Sequence, residues 1–227
     1  MQRLAVQPQM LLIDLDGTLV DTVPDLANAV DVTMQALGLP VRGEASVREW
    51  IGNGVERLVR RALINAYDGE PDEALFRRAH PIFLEAYARD VSTYSRPFPG
   101  VVEGLDYLSG AGYKLGCVTN KAAAFTEPLL RQLGLYDYFE IVVSGDTLPQ
   151  KKPHPAPLLH AGRVLGVAPA RALMVGDSIH DVEAARAAGF QVACVTYGYN
   201  HGMDIRDAKP DAVIGSLLEL RELFGAA

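Results

Sequence analysis

Met10-Leu11-Leu12-Ile13-Asp14-Leu15-Asp16-Gly17-Thr18 runs four apolar residues straight into two carboxylates, a glycine and a hydroxyl. A continuous apolar tetrad is the pattern of a strand buried on both faces of a parallel sheet. The change of character then puts Asp14 and Asp16 at the carboxyl end of that strand. In an extended chain their side chains would face the same side. Burying two carboxylates together is unfavourable unless a cation or a shared proton compensates. Gly17 permits a sharp turn, and Thr18 adds a hydroxyl and an amide. Asp-Gly alone is ordinary turn chemistry; an acidic pair directly behind a buried strand is the mark of a site.

The same arrangement recurs downstream. Lys114–Val118 leads into Thr119-Asn120, residues 172–175 into Gly176-Asp177, and residues 192–195 into Thr196. Shorter strands are expected at 140–143 and Ala212–Ile214. Helical patterns separate them: one from Ala122 to a stop at Gly134, one over Ala156–Leu165, and one over 178–188 with Gly189 as its C-terminal stop. Alternation of this kind predicts an α/β fold with a doubly wound, Rossmann-like parallel sheet. Such sheets bind ligands beyond the carboxyl ends of their strands, where every polar cluster named above falls.

Between residues 22 and 94 the alternation breaks and only helical patterns remain. These cover 24–37 with a stop at Gly38, 55–67, and 72–89 with a kink expected at Pro81. Ser46-Val47-Arg48-Glu49 reads as a capping box opening a further short helix. The expected organisation is a core domain of residues 1–21 and 95–227, with a helical cap domain of residues 22–94. The chain returns through the stiff segment Arg96-Pro97-Phe98-Pro99-Gly100.

The 227 residues are 49% hydrophobic and 22% charged, with a net charge of -7. That length supports one buried α/β core with a smaller accessory domain. Uniform acidity without a Lys/Arg cluster argues against a nucleic-acid partner. An anionic ligand would need a local positive site. Cys117 and Cys194 each lie in an apolar run and read as buried thiols rather than a disulfide, which suits a reducing cytoplasm. Near the start, Arg3, Pro8 and the short run Met10–Ile13 resemble neither a signal peptide nor a membrane span. A soluble, cytoplasmic protein without a membrane partner is expected; monomer and homodimer stay equally open.

Asp177 and Asp181 stand four apart at a helix start, hence on one face. Either Asp177 is an N-cap and Asp181 a solvated residue near the positive helix end, or the two acidic pairs share a divalent cation. Hard oxygen ligands without His or Cys favour magnesium over zinc. Thr119-Asn120 is open between helix capping and binding a phosphate oxygen. Lys151-Lys152-Pro153-His154-Pro155 is open between a solvated loop and a placed positive charge. Gly52-Asn53-Gly54 is a turn, between helices or presented to the site. Arg57, Arg60 and Arg61 read as a solvated helix face in preference to contacts for a substrate carboxylate. His80, His154 and His201 lack metal-like spacing.

Asp14-Leu15-Asp16-Gly17-Thr18, Thr119-Asn120, Lys152-Pro153 and Gly176-Asp177-Ser178 with Asp181 follow the motif order of the haloacid dehalogenase superfamily, which this chain resembles over nearly its whole length. The helical insertion resembles that superfamily's first type of cap. Trp50-Ile51-Gly52-Asn53-Gly54, the segment 151–155 and Thr196-Tyr197-Gly198-Tyr199 are similar to the bacterial phosphoglycolate phosphatase branch. The resemblance implies a hydrolase for a small phosphomonoester, with Asp14 as nucleophile and Asp16 as general acid/base. It implies Mg2+ on the Asp14 carboxylate, the Asp16 main-chain carbonyl and Asp177, with Asp181 behind them. Thr119 and Lys152 would bind the phosphoryl group, with Asn120 close by. In a β-phosphoglucomutase relative a cap His would stand where Leu26 stands, and a dehalogenase would lack Asp16. A phosphatase for another sugar or amino-sugar phosphate stays open. A phospho-Asp receiver module would lack the helical insertion.

Overall fold

The strand expected from the opening tetrad is β1, Met10–Ile13, and all four of its residues are buried. It lies in the middle of a six-stranded sheet with β4 (Lys114–Val118), β5 (Ile141–Val143), β6 (Ala172–Gly176), β7 (Gln191–Val195) and β8 (Ala212–Ile214). A computed structural model describes residues 4–52, 54–200 and 202–224, so Arg3, Asn53 and His201 lie outside the described residues. The order across the sheet is β5-β4-β1-β6-β7-β8, and each neighbouring pair is parallel. Sequence order reverses between β4 and β6 on either side of β1, which is where a doubly wound sheet opens a crevice for ligands.

Alternation along the strands sorts their side chains to two faces. Leu11, Ile13, Leu115, Cys117, Leu173 and Val175 belong to one buried cluster. Met10, Leu12, Val118, Met174, Val192 and Cys194 belong to the other. The first face is covered by α5 (Val101–Gly110), α6 (Ala123–Gln132) and the short α9 (Leu220–Leu223), the second by α7 (Ala156–Leu165) and α8 (Ile179–Ala188). Both cysteines are free and buried, as expected.

A two-residue antiparallel ribbon, β2 (Val20–Asp21) with β3 (Arg96–Pro97), marks where the chain leaves the core and where it returns. Between them lie α1 (Val23–Ala36), α2 (Gly43–Trp50), α3 (Val55–Ile64) and α4 (Glu73–Arg89). Leu26 and Val30 of α1 and Phe83 and Tyr87 of α4 join the first buried cluster, so the helical block and the sheet share one core. Helix α4 is opened by Asp72, whose side chain accepts from the Leu75 amide, and it runs through Pro81.

Two local expectations need correction. Ser46-Val47-Arg48-Glu49 does not open a helix but lies inside α2, which begins at Gly43. The α2 start is capped from a distance: Asp31 Oδ1 accepts from the amides of Arg42 at 2.7 Å and Gly43 at 3.2 Å, so a local box is not required. Helix α3 ends at Ile64 rather than at residue 67, because Asn65 takes the left-handed conformation that closes a helix. The sequence reading also missed α5 and the β2–β3 ribbon. Among the described residues, no helix is long and apolar enough to cross a membrane.

Candidate active site

Five carboxyl-end loops meet above β1. They follow β1 (Asp14, Asp16), β4 (Thr119, Asn120, Lys121), β5 (Lys152), β6 (Asp177) and β7 (Tyr199), and the named residues line one cleft. Leu26, Ile51, Gly52, Gly54, Val55 and Leu58 of the helical block close its other side. Its floor is charged and its roof is apolar.

Lys152 is the hub. It is buried, with its ammonium 2.8 Å from Oδ1 of Asp14 and 2.7 Å from Oδ1 of Asp181. The same group donates to the carbonyl of Val118 and to Asp181 Oδ1, each at 2.7 Å, while Asp14 Oδ1 stands at ion-pair distance without accepting a well-directed hydrogen bond. The two aspartates keep Lys152 charged against a burial penalty that favours the neutral amine. The loop expected to place one lysine therefore does so with Lys152; Lys151 is exposed.

Asp177 is held by Thr18, whose hydroxyl donates to Oδ1 at 2.9 Å, and by the Tyr199 amide, which donates to Oδ2 at 2.6 Å. The approach is so close that a Cβ on Gly17 would stand 2.3 Å from Asp177 Oδ2, and one on Gly198 2.1 Å from Asp177 Cβ. Gly17 also has φ of 87°, which a side chain resists. Asp177 is not the N-cap of α8. Ser178 is, and it forms a reciprocal capping box with Asp181. Asp181 is consequently buried rather than solvated. Its Oδ2 accepts from the Asp177 and Ser178 amides and the Ser178 hydroxyl, while its Oδ1 faces Lys152.

Oxygen atoms of Asp14, Asp177 and Asp181 lie within 4.8 Å of one another, faced by one lysine. Burial pushes the Asp14 carboxyl up to about 7, with the neighbouring carboxylates adding to it and Lys152 opposing. Asp177 is raised well above the usual range by burial and then by Asp181 and Asp14. The cluster is short of positive charge. An all-oxygen donor set in that condition fits a hard divalent cation. Asp14 and Asp177 line the cleft, and Asp181 does not, so the first two are the carboxylates best placed to hold one.

Asp16 has separate partners. Its Oδ1 accepts from the Thr22 hydroxyl at 2.6 Å and from the Lys121 ammonium at 2.9 Å. Asp14 and Asp16 both line the cleft, but not through strand alternation. The strand ends at Ile13 and the chain turns through Gly17, so period-two alternation no longer applies. On the other flank, Asn120 Nδ2 donates to the Lys152 carbonyl at 2.9 Å, and its buried Oδ1 has no protein partner. Thr119 is buried beside it.

Residues 11–195 match the family model described as haloacid dehalogenase-like hydrolase. The chain belongs to the haloacid dehalogenase-like hydrolase family. Among relatives of this hydrolase, a phosphoglycolate phosphatase of Nitrosococcus oceani is 62% identical over 97% of this chain and 98% of its own. One of Thiobacillus denitrificans is 53% identical over 92% of each. A crystal structure of a predicted phosphoglycolate phosphatase from Haemophilus somnus 129PT superposes with a TM-score of 0.90 at 36% identity, covering 96% of this chain and 99% of that one.

Two features of this haloacid dehalogenase-like hydrolase escape a sequence reading. Lys121 sits beside Thr119-Asn120; its one signal in the sequence is a charge three positions past a strand buried from Leu115 to Val118. Tyr199 donates its amide to Asp177, and its hydroxyl accepts from the Thr22 amide at 3.0 Å. The three arginines of α3 do not line the cleft. Arg57 and Arg60 pair with Glu70 and Glu73. Arg61 is not solvated as expected but buried, donating to the carbonyls of Trp50 and Tyr67 and stacking on the Tyr67 ring.

Proposed function

We propose that this haloacid dehalogenase-like hydrolase is a magnesium-dependent phosphatase that converts 2-phosphoglycolate to glycolate and phosphate through a phosphorylated Asp14. The observation that carries the reading is the convergence of Asp14, Lys152 and Asp177 at the switch point of the sheet. The names of relatives 53–62% identical over nearly the full chain support the substrate. In this reading residues 22–94 act as a cap over a core of residues 1–21 and 95–227, in a cytoplasmic enzyme.

Phosphate monoesters hydrolyse so slowly that enzymes supply accelerations of up to about 10^21-fold. One general acid/base accounts for about 10^2 to 10^4 of this, so positioning and charge neutralisation must lower most of the barrier. Magnesium, held by the Asp14 carboxylate, the Asp16 main-chain carbonyl and Asp177, would supply the positive charge that keeps Asp14 ionised beside an anionic substrate. An Asp14 oxygen attacks phosphorus, and the bond from phosphorus to the alcohol oxygen breaks. Asp16 gives that oxygen a proton as it leaves. Lys152 and Thr119 balance charge on the equatorial oxygens, with Asn120 beside them. Asp16 then takes a proton from water as its oxygen attacks the aspartyl-phosphate, and phosphate leaves Asp14 regenerated. The apolar roof of Leu26, Ile51, Val55 and Leu58 excludes bulk water. Leu26 stands where a mutase relative would carry a histidine, which keeps the reading on hydrolysis.

The test is phosphate release from a panel of phosphorylated acids and sugars, with and without Mg2+. The highest kcat/KM is expected for 2-phosphoglycolate, with Asp14→Asn inactive but folded. A sugar phosphate favoured by orders of magnitude would move the substrate and leave the reaction class. Absence of Mg2+-dependent release from every compound would overturn both.

A further inference from the structure

Lys121 is a charged residue with 3% of its side chain exposed, set between the core and the helical block. Its ammonium lies 2.9 Å from Asp16 Oδ1 and 4.8 Å from the centroid of the Tyr87 ring. Tyr87 belongs to α4 and is fully buried. The second donor to Asp16 is the Thr22 hydroxyl, where the chain enters the helical block. Both donors take the same oxygen, Oδ1. Oδ2 is left as the oxygen that Asp16 presents to the cleft it lines. Burying an ammonium is unfavourable, and an apolar side chain would fill the same space without that cost. A lysine here therefore does something that packing alone does not require.

We infer that Lys121 is a positioning residue for Asp16: seated on the Tyr87 ring of the helical block, it clamps Oδ1 so that Oδ2 points at the leaving oxygen of the substrate. Proton transfer is thereby tied to the docking of α4 on the core. The inference rests on the acid/base reading of Asp16 given above.

The experiment compares kcat/KM for two esters whose need for an acid differs. 2-Phosphoglycolate expels a basic alkoxide and needs the proton; para-nitrophenyl phosphate expels a stable phenolate and does not. Lys121→Met is expected to lower kcat/KM for 2-phosphoglycolate by about 10^2, the lower end of what a general acid contributes. The aryl ester should change by less than about threefold, well below that contribution. Asp16→Asn, measured alongside, should show the same split at greater amplitude. Should Lys121→Met fail to fold by circular dichroism, Tyr87→Leu removes the seat but not the ammonium and must give the same split, smaller in size. Equal losses on both esters, or no loss on the alkyl ester, overturn the role of Lys121 while the Asp16→Asn split persists. If Asp16→Asn itself shows no split, the acid/base reading falls and this inference with it.

Discussion

The Lys152 ammonium stands 2.7 Å from Oδ1 of Asp181, with 2% and 0% of the two side chains exposed. Water cannot replace either partner at that depth. Removing one partner of a buried pair costs about 3–5 kcal/mol, because the other charge stays behind uncompensated. Asp181→Ala also deletes half of the α8 capping box. Urea denaturation should show a loss of at least about 3 kcal/mol by that reasoning. A loss near that of an exposed substitution would mean that Asp14 alone satisfies Lys152.

Stability of the metal-free protein should fall as pH rises from about 4 to 7. Burial holds the Asp14 carboxyl near 7 in the folded state against 3.8 in the reference state. Between those values the native protein binds a proton that the unfolded chain has lost. Stability is therefore greatest below the unfolded value and is lost towards the folded one. Asp14→Asn removes the titrating group and should flatten this part of the profile. Denaturation midpoints of chelator-treated wild type and variant, measured across that range, decide it; parallel profiles would contradict the assignment.

Gly17→Ala introduces a Cβ that would stand 2.3 Å from Asp177 Oδ2, at a φ of 87°. The backbone strain costs about 1–3 kcal/mol. The larger effect falls on Asp177, whose Oδ2 must move and strain or lose the bond it accepts from the Tyr199 amide. The Mg2+ concentration giving half-maximal activity should rise at least about tenfold, equivalent to about 1.4 kcal/mol. Unchanged metal dependence in a folded variant would show that Asp177 does not hold the ion.

Magnesium should raise the melting temperature, because a ligand that binds only the native state stabilises it by mass action, about 2.7 kcal/mol at a hundredfold excess over Kd. Asp177→Asn should abolish that shift and turnover together, and chelation should mimic it reversibly in the wild type. A melting temperature that responds to Mg2+ equally in the variant would place the ion elsewhere.

The strands were the most legible part of the molecule. Met10–Ile13, Lys114–Val118 and Ala212–Ile214 occur where their apolar runs fall, because a strand buried on both faces needs an uninterrupted run. Three charged members of the cleft were legible for the same reason, Lys121 being the exception: Asp14, Lys152 and Asp177 break apolar or proline-rich stretches where a solvated surface would not require them. The start of α2 was not legible, since its capping group, Asp31, comes from another helix. Arg61 was misread because charge on a helix suggests solvent, whereas its guanidinium satisfies two carbonyls inside the fold.

Local order alone determined that this chain alternates strands and helices, carries a helical insertion, and collects acidic and basic groups at strand ends. Those properties follow from hydrophobic runs and turn residues acting over a few neighbours. Only the tertiary structure decided which atoms meet. Thr18 reaches Asp177 across 159 positions and Lys121 reaches Asp16 across 105. Such contacts depend on strand order and loop paths that no local pattern encodes, because the energy that selects them comes from burying and pairing charges in one place.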